Sequence, residues 1–253
     1  MELNAYYSKQ VRRSLGYFPV WEPGENVSPG DVGELVNGVF EKRTSIRRIL
    51  GLTPKIARQN LGNPTRFYSQ GCTVGKIRLD ASASHDPNSK ARGSVMLQFS
   101  GEGGVVFDAT DALADGFEDL EALCQEINGN KVKWTSGYVF VGFLESSPRF
   151  RVLISTEKNA SLELHGNVDA LNTLAIASSD LSFTGVRSQW YERKGLETDG
   201  KRLHPLLMRL YGFRWRHLGS MSRLLEIAED HANAEQDREI DVGEISVWDT
   251  SLP

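Results

Sequence analysis

The sequence predicts an α+β fold: a twisted, mostly antiparallel central sheet with long hairpins, peripheral short helices and a C-terminal helical, acidic tail. Two observations predict it. Stretches of alternating polar and apolar residues recur from residue 76 to 187, and alternation with period two is the mark of a strand buried on one face. Between them stand frequent turn residues, 24 glycines and nine prolines, which punctuate short strands and leave room for few long helices.

The chain opens with a short helix at residues 3 to 14. Leu3, Tyr7 and Val11 stand four apart on one face, with Lys9, Arg12 and Arg13 elsewhere around it, and Gly16 ends it. The segment YFPVWEPGENVSPGDVGELVNGVFEKRTSI reads as short strands, with Asn37-Gly38 as the two-residue turn of a hairpin. A helical stretch from Ile46 to Leu50 carries Arg47 and Arg48. Residues 53 to 75 show no clear period and are expected as loop. From Lys76, the residues Ile77, Leu79, Ala81 and Ala83 take one face. HDPNSKARG turns the chain, and Val95, Leu97 and Phe99 continue that face in a second strand. GEGG at 101 to 104 is a turn before a strand from Val105.

Residues 115 to 128 give the best helical stripe, Phe117, Leu120, Leu123, Cys124 and Ile127. GYVFVGFL is apolar on both faces, as a central strand is. RFRVLIST sets Phe150, Val152 and Ile154 against Arg149, Arg151 and Ser155. SLELHG, LNTLAIAS and DLSFTGVRSQWYE are expected as strands, and 203 to 211 and 220 to 234 as helices.

Charge divides the chain more sharply than its net −4 suggests. From Glu226 onward nine acids stand against one base, Arg238, leaving −8 there and +4 on residues 1–225. The expected organisation is therefore a single body, 1–225, and an acidic tail, 226–253. An acidic tail is either solvated or folded back on a basic body. Ile240, Val242, Ile245, Val247 and Trp248 recur nearly every second residue, the pattern of a strand with something to bury.

No motif of catalysis emerges. His85, His165, His204, His217 and His231 form neither a zinc-binding spacing nor a cluster with Cys72 or Cys124. Two thiols are too few for a disulfide framework and are expected to be reduced. GEGGVVF lacks the Lys-Ser/Thr ending of a phosphate loop. Asp80 with Asp86, and Asp108 with Asp111, are expected in turns or caps. No cofactor and no metal are expected. A pI near 5.8, without aromatics interleaved among bases, argues against nucleic acid as partner. The opening MELNAYYSKQVRRSLG has no apolar signal region. Lys9, Arg12, Arg13, Arg47 and Arg48 are candidates for anionic lipid headgroups.

The order of these pieces resembles the pore-forming part of the gasdermin family, bacterial members in particular. SKQVRRSLG and YFPVW are similar to that family's basic helix and the apolar-proline segment after it, and TSIRRIL to the short run before its long hairpins. FEDLEALCQEI leading into GYVFVGFLES resembles its amphipathic helix and central strand, and LNTLAIASSDLSFTGVRSQWYE its closing strand pair. The resemblance covers most of residues 5 to 191. It implies a non-enzymatic protein, cytoplasmic when inactive, held so by its C-terminal segment. An activating protease releases that segment. The body then binds anionic membrane lipids at the inner face of the cell membrane, self-oligomerises and unfurls hairpins into a barrel, a step that in such proteins serves antiviral defence by cell death. The membrane hairpin would take Ile77, Leu79, Ala81, Val95, Leu97 and Phe99, and the autoinhibitory contact Ile240, Val242, Ile245, Val247 and Trp248. One departure stands out: many bacterial members carry a lipidated cysteine near the N-terminus, and here the first 71 residues hold none. Either Tyr6 and Tyr7 fill that place or activation differs. Two other readings remain open, a β-rich binding module with a self-packing tail, and an enzyme whose site is assembled from distant residues.

Overall fold

A computed structural model describes residues 2–79, 92–101, 103–130, 133–178, 181–187, 190–197, 201–213 and 242–244. The fold is α+β and mostly antiparallel, as the alternation predicts. Its chain divides into two compact units that interleave in sequence. One comprises residues 1–10, 61–112 and 147–204, and the other 11–60, 113–146 and 205–253.

The second of these units holds an eight-stranded sheet. Its strands are β1 (Phe18–Pro19), β2 (Asp31–Val36), β3 (Val39–Ser45), β4 (Ile56–Asn60), β10 (Leu113–Phe117), β11 (Val139–Ser147), β16 (His204–Phe213) and β17 (Val242–Glu244). The spatial order is β1-β16-β11-β10-β4, with β2 on β11, β3 on β2 and β17 on β16. The β2–β3 hairpin turns at Asn37 and Gly38, with φ of 53° and 76°, the left-handed pair that a two-residue turn requires. β11 is central because its successive residues feed two cores. Val139 and Val141 pack with Phe18, Phe40 and Met208, and Phe140 with Val32, Ile127 and Trp134. Helices α2 (Ile46–Leu50) and α3 (Leu120–Gly129) cover the latter core.

The first unit is a sandwich of two sheets. A four-stranded sheet runs β15-β12-β9-β5, comprising Trp190–Leu196, Arg149–Ser155, Val105–Thr110 and Thr65–Tyr68. A five-stranded sheet runs β14-β13-β8-β6, comprising Leu181–Arg187, Ser161–Asn167, Arg92–Phe99 and Cys72–Val74, with β7 (Arg78–Leu79) also on β8. Val106 and Leu153 of the first sheet meet Val95, Leu97, Phe99, Leu162 and Leu164 of the other in one core. Helix α4 (Val168–Asn172) closes an end of that core with Leu171. Helix α1 (Leu3–Leu15) begins in this unit, and its Tyr7 and Val11 are fully buried.

Several expectations need correction. The helix expected over 203 to 211 is instead strand β16 from His204 onward, because Leu206, Leu207 and Met208 are buried in succession; consecutive buried residues suit a central strand with two covered faces. The helix expected over 115 to 128 begins only at Leu120. Asp119 caps it by accepting from Ala122 N at 2.8 Å, while Asp115–Phe117 pair with β4 and Asp115 and Gly116 also with β11. The supposed loop 53 to 75 contains β4, β5 and β6. Every residue of β4 is exposed, so it carries no alternation to read. LNTLAIAS is α4 and a turn rather than a strand, its helix capped by Asn167 accepting from Asp169 N. DLSFTGVRSQWYE supplies β14 and β15, which belong to different sheets instead of pairing. Leu79 is 68% exposed, unlike Val95, Leu97 and Phe99 on the face it was expected to share. Ala81 and Ala83 lie outside the described residues, as do the helix expected at 220 to 234 and Ile240, Ile245, Val247 and Trp248. Val242 falls in β17, paired with Phe213.

Candidate functional site

The basic residues lie on two helices. On α1, Tyr7, Ser8 and Val11 turn inward, Lys9 and Arg13 are exposed, and Arg12 sits 4.9 Å over the Phe18 ring. Arg12 is thus partly engaged by a cation–π contact. On α2, Ile46 is buried and Arg47 and Arg48 are exposed. Ser45 caps this helix by accepting from Arg48 N, and Gly51 at φ 75° ends it. The two caps fix where the two arginines emerge from the short helix.

Of the hairpin residues, Ile77, Val95, Leu97 and Phe99 share the core under the five-stranded sheet, whereas Leu79 is exposed and Ala81 lies outside the described residues. β7 pairs with β8 through Arg78–Ser94 and Leu79–Gly93. β8 pairs with β13 in continuous antiparallel register, and β13 with β14 in antiparallel register that shifts between Ser161 and Leu162. Val95, Leu97, Phe99, Leu162, Leu164 and Leu181 are buried on one face. Gln98, Ser182 and Thr184 are exposed, and Glu163 and His165 partly so, on the other. Three neighbouring strands therefore carry one apolar face and one face that is polar apart from Met96, which lies opposite Glu163.

Sequence reasoning missed a row of charges across the four-stranded sheet. Arg66 of β5, Asp108 of β9 and Arg151 of β12 are cross-strand neighbours in the register. Asp108 is 0% exposed and Arg151 3%. Arg66 Nε donates to Asp108 Oδ1 at 2.8 Å. Arg151 Nε is 3.5 Å from Glu192 of β15, and its guanidinium lies 4.5 Å from the centre of the Phe183 ring. Burial lowers the Arg151 pKa, and Glu192 and then Asp108 oppose that shift. Asp108 is accordingly a structural ion-pair partner and not a turn residue. Asp111 stands at φ 57° and accepts from Arg149; Asp80 and Asp86 lie outside the described residues. The signal available in the sequence was a single charge inside each of two strongly apolar runs, VVFDAT and FRVLIS, of opposite sign.

Other chemistry is sparse. Leu52–Lys55 and one face of α3 line a groove of 420 Å³ bearing Lys55, Glu118, Asp119 and Glu126. Asp119 is committed to capping α3. No group of three or more metal-ligating side chains occurs among the described residues. Cys72 and Cys124 are free thiols, and burial pushes the Cys72 thiol up to about 11. His204 is buried with its ring 5.2 Å from that of Phe150. Burial, then Arg202, lowers its pKa. No described helix is long and apolar enough to cross a membrane, which says nothing of strands.

No family model matches the chain, and no curated protein matches it. Among solved structures it is similar to a bacterial gasdermin from Bradyrhizobium tropiciagri. Identity is 10%, the match covers 84% of this chain and 87% of that one, and the TM-score is 0.33. A likeness this weak carries no argument about residues or activity.

Proposed function

We propose that this protein is a pore-former of gasdermin type, whose five-stranded sheet supplies membrane-spanning hairpins once the C-terminal segment is released by proteolysis. The observation that carries this reading is the shared two-faced pattern of β8, β13 and β14. A barrel strand in a bilayer needs an apolar face toward lipid and a polar face toward the lumen. In the folded body the apolar face is satisfied by Val106 and Leu153 of the opposing sheet. Exchange of that partner for lipid tails leaves each side chain on its own face. A spanning strand takes about 9–11 residues. The segments from Cys72 to Phe99 and from Ser161 to Arg187 each exceed two such spans if their connections straighten.

Exposed Lys9, Arg13, Arg47 and Arg48 would supply the initial attraction. At about 1 kcal/mol each near an anionic surface, replacing the four with glutamine weakens vesicle binding by roughly 10²–10³-fold. The spanning step is tested with an environment-sensitive probe placed singly at 182, 183 or 184 and a nitroxide lipid as quencher. After tail removal and addition to anionic vesicles, a probe at 183 should be quenched while probes at 182 and 184 are not. Equal quenching at all three, or none at any, removes the strand reading.

A further inference from the structure

Residues 173–178, which follow α4, and Leu181 at the start of β14 lie against the charged row of the four-stranded sheet, and side chains of that sheet hold their main chain. Arg66 Nη1 donates to Thr173 O. Tyr68 Oη donates to Leu174 O at 3.1 Å. Arg151 Nη1 donates to Ile176 O at 2.7 Å and to Leu181 O at 3.4 Å. Asp108 Oδ2 accepts from Ala177 N at 2.8 Å. Every one of these bonds ends on backbone, so the grip is independent of the side chains it holds. The connection itself is strained, because Leu174 sits at φ 46°, where a branched side chain is disfavoured.

We infer that these four side chains form a releasable latch, so that the α4–β14 connection lifts from the sheet with β14 while β9 and β12 stay folded. The physical reason is the composition of the seam. Lifting the connection takes Ile176 and Leu181 out of the apolar core they share with Val106 and Leu153, so the apolar part of the seam opposes release. The polar part behaves differently: opening returns the largely desolvated Asp108 and Arg151 to water, and their hydration offsets the hydrogen bonds that break. The Arg66–Asp108 pair survives the opening, since both residues belong to the sheet that stays. Closed, the same groups fix one register of the loop, because five bonds from four side chains meet main-chain atoms at residues 173, 174, 176, 177 and 181. Use of the latch as a release step for the second hairpin rests on the pore-forming reading; its existence does not.

The test is amide hydrogen exchange by mass spectrometry on the full chain, alone and as Tyr68→Phe and Arg151→Gln. Tyr68→Phe keeps the ring and removes one bond, so it serves if Arg151→Gln fails to fold. In the unaltered protein, amides of 174–187 should exchange faster than those of 105–110 and 149–155. Tyr68→Phe should accelerate the former about 2–10-fold, the equivalent of one hydrogen bond, and leave the latter unchanged. Equal acceleration in both segments, or none in 174–187, overturns the latch and leaves only a contribution to global stability. Leakage of anionic vesicles by the tail-free protein separates the two proposals. Faster leakage with Tyr68→Phe supports the latch as a release step. Altered exchange with unaltered leakage keeps the latch and overturns its use in pore formation.

Discussion

Replacing Asp108 with alanine removes the centre of the charged row. Three partners lose it together: Arg66, which it pairs at 2.8 Å, the buried N–H of Ala177, and Arg151, whose charge it helps offset. Asp108 is fully buried and the Arg66 side chain 21% exposed, so the pair belongs to the class in which deletion of one partner strands a desolvated charge. Such deletions cost about 3–5 kcal/mol, far above the ~0–1 kcal/mol of an exposed pair. For a domain of this size each kcal/mol lowers Tm by about 2–4 °C, which gives a fall of roughly 6–20 °C. Asp108→Asn keeps an acceptor for Ala177 N while losing the charge, and should fall between the two. The double substitution Arg66→Met/Asp108→Leu removes both charges of the pair and should recover part of the loss: Arg66 no longer leaves a charge unpaired and Arg151 keeps Glu192, while the Ala177 N–H still lacks its acceptor. Circular-dichroism melts and urea titrations read these changes. A loss under about 1 kcal/mol for Asp108→Ala, or additive losses in the double variant, would falsify the assignment of a coupled buried row.

Stability should also depend on pH through His204, whose folded pKa lies below its ordinary 6.5. The full contribution is present above about pH 6.5, where the ring is neutral in both states. It is lost as pH falls from there through the lowered folded value, and His204→Phe should flatten that slope in melts between pH 7.5 and 5. In a Cys124→Ser background, Cys72 with its thiol near 11, against an ordinary 9.0, should react with a disulfide reagent at pH 8 about 100-fold more slowly in the folded than in the urea-unfolded protein. Equal rates would show that the thiol is not held in an apolar site. Gly104→Ala places a methyl 2.0 Å from a ring carbon of Phe99, a side chain buried against Trp190. The expected loss is about 1–3 kcal/mol by calorimetry, and a neutral result would mean that the ring has room to move.

Elements that satisfy their own local rules were readable in the sequence. The Asn37-Gly38 hairpin, the capped α2, α1 with its four-residue spacing, and β8 with Val95, Leu97 and Phe99 on one face all follow from neighbours along the chain. Elements whose environment is supplied from afar were not. β4 has every residue exposed and is a strand because β10 lies beside it. β16 resembles a helix until its two covered faces are known. In RFRVLIST the alternation suggests an exposed polar face, yet Arg151 is buried, because Asp108 and the carbonyl of Ile176 come from residues far along the chain. The candidate site was legible to the same degree. Basic residues on two short helices and one apolar hairpin face could be picked out by pattern, but the charged row that holds the second hairpin arises only from strand register.

The most direct test of the pore-forming account is dye release from anionic vesicles by protein cleaved at several positions between 214 and 241. The account predicts rapid release from anionic vesicles after cleavage, little from zwitterionic ones, and none with intact protein. Vesicles that stay sealed after complete tail removal at every position, with the body still folded, would contradict it.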